Sequence, residues 1–225
     1  MTFSLLGRCA RTAAFGVTIA SSSPAVASRC AYVRPGAGAA TTQNVTDPRL
    51  GPALLDQLAT RTPARQAMDA VCRTSQHLAF RQLAVLDAQG RTAVFTGSNA
   101  LGVHGSAAGT DCVAAGNLLA SLEVLDAAVH AFAADPDAPL EDRLLAGLEA
   151  GLAHGGEAGP LHSAGLLGCD AVPWPVTDLR VDWSQDPVHD LRALWQIWAP
   201  HKTDYITRAL DPSSAPGYGV PGDDR

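Results

Sequence analysis

The chain has 225 residues, of which 47% are hydrophobic and 17% charged, so it can fill the core of one substantial domain. Its formal net charge is −6 and its only lysine is Lys202, a balance that argues against nucleic-acid and anionic-membrane partners. No apolar run in the sequence is long enough to span a bilayer.

The first predicted elements are two short apolar strands, over 3–9 and 15–21, which form a β-hairpin. A turn at 35–38 leads into a strand of small residues that ends at 43. Two helices are predicted next, over 52–59 and 63–73, the second with Thr62 as its N-cap. Strands at 80–87 and 91–96 form a second hairpin, residues 97–111 are expected to be an irregular loop, and 112–115 is a short strand.

The remaining predicted elements are helices over 122–134 and 140–154, strands over 162–169 and 177–183, and a last helix from about 187. Hairpin-linked strands indicate antiparallel sheets, and strands apolar on both faces indicate sheets buried between helix layers. The pattern predicts an α+β fold, a four-layer αββα sandwich formed by residues 1–210. Residues 211–225 are rich in proline, glycine and serine and are expected to be disordered.

The five cysteines are odd in number and widely spaced, without zinc-like clusters, which predicts free thiols in a reducing compartment such as the cytoplasm. The alternative is a secreted protein, because 25–27 resembles a signal-peptidase site, although Arg8 and Arg11 interrupt an apolar segment before it. Gly36-Ala37-Gly38 lacks the third glycine of a dinucleotide motif. We therefore expect neither a metal nor a cofactor.

Thr2 is the most informative residue, because removal of Met1 would leave a hydroxyl and a free α-amine on one residue. The hydroxyl is a nucleophile, and the amine, with a pKa of about 7.7–8.0, can act as its base. Many proteins begin Met-Thr without using the threonine in catalysis, so this feature gains weight only from the rest of the chain.

Several short motifs in one order resemble the family known as domain of unknown function 1028. They lie at 1–4, 20–26, 36–44, 81–85, 115–120 and 178–182, and the similarity extends to about Leu194. That family is regarded as similar to the N-terminal-nucleophile (Ntn) hydrolases, so the resemblance implies this fold and acyl transfer from Thr2. Proteasome-type relatives use a lysine on an early strand, which this chain lacks. In the region of residues 21–23 the nearest cation is Arg29, and an arginine cannot shuttle a proton.

Asn117, after Gly116 at a strand end, is the candidate oxyanion donor, although a Gly-Asn pair can simply form a turn. The other candidate substrate-binding residues are polar and lie at strand ends or in the glycine-rich loop. They are Ser21, Ser22, Thr42, Gln43, Asn44 and His104. Each also has a structural interpretation, as a strand terminator, a strand cap or a solvated loop residue.

Asp178, Arg180 and Asp182 alternate along a strand and form either an ion-pair row or a substrate clamp. A Ser/His hydrolase centred on Ser106 and His104 is a weaker hypothesis. The sequence favours an amidohydrolase that cleaves a small amide or carbamoyl compound and acts as a homodimer. The alternative is a non-catalytic binding or assembly subunit that retains the fold.

Overall fold

The computed structural model describes residues 2–223, which form two antiparallel sheets flanked by helices. The strands are β1 (Thr2–Arg8), β2 (Phe15–Ser21), β3 (Ala31–Arg34), β4 (Gly38–Asn44), β5 (Arg81–Asp87), β6 (Thr92–Thr96), β7 (Val103–Gly109), β8 (Cys112–Leu119), β9 (Ser163–Cys169) and β10 (Pro175–Val181). The α-helices are α1 (Ala27–Cys30), α2 (Leu50–Ala59), α3 (Ala64–Thr74), α4 (Glu123–Ala134), α5 (Leu140–Ala153), α6 (Pro187–Trp198) and α7 (Lys202–Leu210). Short 3₁₀ turns occupy Leu78–Phe80 and Ala199–His201.

The larger sheet has the strand order β10-β9-β2-β1-β8-β7, and the smaller has the order β3-β4-β5-β6. Strand β1 therefore lies inside the larger sheet, hydrogen-bonded to β2 on one side and to β8 on the other. Every residue from Thr2 to Gly7 is buried. The first strand of the chain is thus part of the centre of the fold.

Alternation along the strands divides the core into layers. Side chains between the sheets include Leu6, Val17, Ile19, Ala39 and Leu86. On the opposite faces, Phe3 and Leu5 pack with α4 and α5, whereas Leu83 and Val85 pack with α2 and α3. Each fully buried leucine contributes about 1.5–3 kcal/mol relative to an exposed one. The predicted α+β fold with an αββα arrangement is confirmed.

Two glycines let helices approach the larger sheet directly. A Cβ atom added at Gly7 on β1 would lie 2.4 Å from Cε2 of Phe132, and one at Gly16 on β2 would lie 2.4 Å from Cδ1 of Leu144. Real Cβ contacts are longer, so α4 and α5 pack against backbone at these positions. This close packing holds the hairpin that begins with Thr2.

The structure corrects the expectation for 97–111, where part of the expected loop is the edge strand β7, paired antiparallel with β8. The short helix α1 and strand β3 were also not predicted. In the predicted tail, the Arg208 guanidinium lies over the Tyr218 ring, 4.1 Å from its centroid. Met1, Asp224 and Arg225 lie outside the described residues. Within 2–223, every helix falls short of the length and apolarity that a bilayer span requires.

The five cysteines carry free thiols, and four of them are buried. Burial raises the pKa of Cys112 to about 11 and that of Cys169 to about 12. Thiols with such pKa values are protonated near neutral pH and react slowly. Cys112 and Cys169 therefore behave as small apolar core residues.

Candidate active site

Thr2 is the first residue of β1 and lies between the ends of two neighbouring strands. It pairs with Asn117 on β8, and its Oγ1 lies 3.2 Å from the Oγ of Ser21 on β2. Because Phe3 points toward the helices, the Thr2 side chain points into the space between the sheets. Thr2 is 5% exposed. Its hydroxyl therefore lies at one end of the inter-sheet layer, among polar groups of three strands.

A chain of buried side-chain hydrogen bonds crosses from one sheet to the other beside Thr2. Ser4 Oγ donates to Gln43 Oε1 over 2.9 Å, and Gln43 Nε2 donates to Gln82 Oε1 over 2.8 Å. Asn117 Nδ2 donates to the same Gln82 oxygen over 3.1 Å, while Gln82 Nε2 donates to the Gly116 carbonyl over 2.9 Å. Each amide has a defined donor and acceptor end, so the network fixes its orientation.

Asn117 is 1% exposed and is held on the same face of β8 as the inter-sheet network. A primary amide carries two N–H protons, and the hydrogen bond to Gln82 uses one of them. The other proton can be donated to an oxygen bound next to Thr2. Asn117 thus has the chemistry that an oxyanion donor requires.

Two of the predicted substrate-binding residues lie on the other face of the smaller sheet. Gln43 faces the larger sheet, where it bonds to Ser4, so its neighbours Thr42 and Asn44 point away by strand alternation. Thr42 Oγ1 donates to the Asp47 carbonyl over 3.2 Å, and Asn44 Nδ2 donates to the Phe80 carbonyl over 2.6 Å. Both side chains fasten the loops that leave β4. Their placement does not support the predicted contact with substrate.

The other predicted residues fall into two groups: those at the end of Thr2's neighbour strand β2, and exposed ones on the edge strands β7 and β10. Ser21 is fully buried beside Thr2, and the Ser22 backbone N–H, one residue further, points to the Glu157 carboxylate. His104 is exposed on β7, with Nδ1 2.8 Å from the Gly102 carbonyl. Ser106 on the same strand is also exposed. Asp178 and Arg180 form an exposed ion pair of 2.7 Å on the edge strand β10, away from Thr2.

Glu157, in the loop between α5 and β9, is a buried acidic residue that sequence analysis did not identify. It is 5% exposed, and its Oε2 accepts a hydrogen bond of 3.2 Å from Ser22 N–H. Oε1 accepts no hydrogen bond from any residue within 2–223. Burial raises the pKa of this carboxyl to about 7, while the amino-terminal charge and the Ser22 hydrogen bond act in the opposite direction. The only sequence signal is a glutamate after Gly155-Gly156, which matches no motif.

Two candidates to replace the missing early lysine, Arg29 and Lys202, form hydrogen bonds with other groups. Arg29 donates to the carbonyls of Pro24 and Ala25. Lys202 donates to Glu141 Oε1 over 2.8 Å at the far end of the larger sheet, level with Gly7 and therefore roughly 17 Å from Thr2 along β1. Among residues 2–223, no cluster of three acidic, histidine or cysteine side chains is placed to hold a metal ion.

This geometry defines a two-sheet α+β protein with a buried threonine at the start of a central strand. The chain belongs to the family of unknown function DUF1028, whose model matches residues 2–191. It is similar to protein SPO2555 from Silicibacter pomeroyi, a DUF1028 protein, with a TM-score of 0.81, 31% identity and coverage of 87% of this chain and 88% of that one.

A second solved structure, Anbu (ancestral beta-subunit) from Yersinia bercovieri, aligns with 97% of this chain and 100% of that chain. Its identity is 12% and its TM-score is 0.39, so the likeness carries no argument about fold or activity. No curated protein matches the chain at a significant level.

Proposed function

We propose that this protein is an N-terminal-nucleophile hydrolase that cleaves a small amide or carbamoyl compound. Thr2 is the nucleophile once Met1 has been removed, and its own α-amine is the general base. The observation that carries the proposal is the position of Thr2, side by side with Asn117 and 3.2 Å from the Ser21 hydroxyl at the end of the inter-sheet layer.

The proposed reaction begins with attack of Thr2 Oγ1 on the substrate carbonyl carbon, while the α-amine accepts the hydroxyl proton. The carbonyl oxygen becomes an oxyanion, and Asn117 Nδ2 donates a hydrogen bond to it. When the C–N bond breaks, the ammonium returns its proton to the leaving nitrogen. Water, deprotonated by the same amine, then releases the acyl group and restores Thr2.

The chemistry around Thr2 supports an uncharged substrate. The side chains of the inter-sheet network are all neutral, namely Ser4, Gln43, Gln82 and Asn117, and Ser21 beside Thr2 is neutral too. The partners of these network side chains within 2–223 are neutral as well, so no cationic side chain there would offset the desolvation cost of an anionic substrate. Small neutral amides and ureides are therefore the class to examine first.

The test is a screen of amides and ureides with full-length protein whose intact mass shows the loss of Met1. The Thr2→Ala variant is the matched control. We expect at least one compound that the Thr2 protein hydrolyses, with both products detected by mass spectrometry, and that the variant leaves intact. Equal hydrolysis by the two proteins would contradict the assignment of Thr2.

The alternative function is a binding or assembly subunit without turnover. The observation that favours it is the burial of Thr2 and Asn117, which are 5% and 1% exposed. Because both residues are buried, catalysis would require a covering segment to move. We expect this segment to be the 97–102 loop, in which Leu101 is hydrogen-bonded both to Leu118, beside the start of β1, and to Asn44. A protein that binds a ureide but retains it unchanged would support this alternative.

We also propose that the protein is a cytoplasmic homodimer. The exposed apolar side chains Ile197 and Leu210 on the last two helices support self-association. Light scattering coupled to size-exclusion chromatography measures the oligomeric mass directly. A monomer at all concentrations would contradict the dimer.

A further inference from the structure

The start of β1 is closed by a segment distant in sequence. Thr2 is flanked by β2 and β8, and the next residues of the chain beyond its two neighbours Ser21 and Asn117 are Ser22 and Leu118. Residues 156–158 bridge that opening, because Ala158 N–H donates to the Leu118 carbonyl and Ala120 N–H donates to the Gly156 carbonyl. Glu157 forms a β-bridge with Leu119 in between.

This bridge brings one carboxylate to the end of β1. Glu157 Oε2 accepts a hydrogen bond of 3.2 Å from the N–H of Ser22, the residue that follows β2. The other oxygen, Oε1, is buried and accepts no hydrogen bond from residues 2–223. A buried carboxylate oxygen requires a donor, and the strongest donors are cationic N–H groups. Of the side chains nearby, Ser22 and Leu118 offer no cation.

We propose that Glu157 is the positioning residue for the α-amine of Thr2, which donates a hydrogen bond to Glu157 Oε1 once Thr2 is the first residue. This inference rests on the proposed function, in which that amine is the base. In this arrangement an N–H of the amine points to Glu157, which leaves the nitrogen lone pair directed toward the Thr2 hydroxyl. Glu157 thereby takes the orienting role for which this chain has no early lysine.

The carboxylate has a measurable effect on the amine even without a substrate. A negative charge in contact with an ammonium group favours its protonated form and raises its pKa. Glu157→Gln keeps the size of the side chain and removes the charge. We expect the α-amine pKa to fall by about one unit or more in this variant. Glu157→Asp, which keeps the charge, should give an intermediate value.

The experiment uses the full chain released from a cleavable fusion so that Thr2 is first, with ¹³C-labelled threonine. The Thr2 signal is assigned by its absence from the Thr2→Ser variant, and its shift is followed against pH. Glu123→Gln, at an exposed position on α4, is the matched control and should leave the titration unchanged. Thermal melting of each variant shows that it is folded.

An α-amine pKa that is the same in wild type, Glu157→Gln and Glu157→Asp would overturn the inference. That result would leave the proposed function standing, since the function is tested separately by Thr2→Ala. If a substrate is found, Glu157→Gln should lower kcat by about 10- to 100-fold with little change in KM, which is less than the roughly 100- to 10,000-fold that a general base itself contributes. An unchanged kcat would also overturn the inference.

Discussion

Thr2 and Asn117 lie directly opposite each other on the antiparallel strands β1 and β8, and the next pair along is Phe3 with Gly116. Paired Cα atoms on such strands are about 4.5–5.5 Å apart, so the hydroxyl and the amide are within reach of one small carbonyl compound. The backbone ladder sets this separation. Neither side chain can move far from the other without a break in strand pairing.

Thr2→Ala should lower turnover on the order of 10⁴-fold or more, because it removes the attacking hydroxyl. Thr2→Ser should retain part of the activity, since a hydroxyl and an α-amine remain. Protein that keeps Met1 should be as inactive as Thr2→Ala, because its base is locked in a peptide bond. The measurement is kcat on a substrate from the screen, with thermal midpoints compared in parallel. Normal turnover by Met1-containing protein would exclude an N-terminal nucleophile.

Asn117→Ala should lower kcat about 100- to 1000-fold, the usual loss for one oxyanion donor. The control is Gln76→Ala, at an exposed position after α3, which should leave kcat unchanged. Steady-state kinetics of both variants distinguish the two positions. An Asn117→Ala variant that keeps wild-type kcat while KM rises would assign Asn117 to ground-state binding instead.

Gln82→Ala should destabilise the fold by about 2–4 kcal/mol, since it leaves donors of Gln43 and Asn117 without their shared acceptor and opens a cavity. Gln76→Ala, at an exposed position after α3, should change stability by less than about 0.5 kcal/mol. Urea unfolding curves give both values. A loss at Gln82 no larger than at Gln76 would mean that the inter-sheet network contributes little.

Asp87 links stability to pH. Burial alone raises the pKa of its carboxyl, but hydrogen bonds from Ala64 N–H and from Arg91 outweigh burial and lower it. Because the folded-state pKa is the lower one, the stabilisation is present above the unfolded value of about 3.9 and is lost as pH falls through the folded value.

The Asp87→Asn variant should therefore be less stable than wild type at about pH 7, by about 1–3 kcal/mol, with the gap closing as the pH falls below the unfolded value of about 3.9 and through the folded one. Urea unfolding at about pH 7 and in this acidic range measures the gap. Asp69→Asn, which affects an exposed pair with Arg65, should cost less than about 1 kcal/mol at either pH. A gap for Asp87→Asn that is independent of pH would show that the charge is not its cause.

Much of the fold could be predicted because apolar periodicity marks the central elements. The runs that form β1, β2 and β5 are apolar and bounded by turns, and the helices show apolar faces. Strand β7 could not be predicted in this way, since Val103–Gly109 consists mainly of glycine, alanine and other small residues. Its strand conformation comes from pairing with β8, a tertiary contact that overrides weak local preference.

Only those site residues that lie on strands recognisable from the sequence could be predicted. Thr2 and Asn117 stand at the ends of recognisable strands, whereas Thr42 and Gln43 differ by one position and so face opposite sides of one sheet. A register uncertainty of one residue decides which of them faces the larger sheet that carries Thr2. Glu157 contacts Ser22 and Leu119, beside the start of β1, although it lies 155 residues after Thr2, and no local pattern predicts that contact.

The way residues 156–158 close the end of β1 has a practical consequence for preparing this protein. A peptide fused ahead of Thr2 would have to leave the sheet between Ser22 and Leu118, past the Glu157 carboxylate. An affinity tag at that end would compete with the bridge and mask the amine on which the proposed chemistry depends. Expression vectors for assays should therefore place the tag after Arg225, or release a native Thr2 by cleavage.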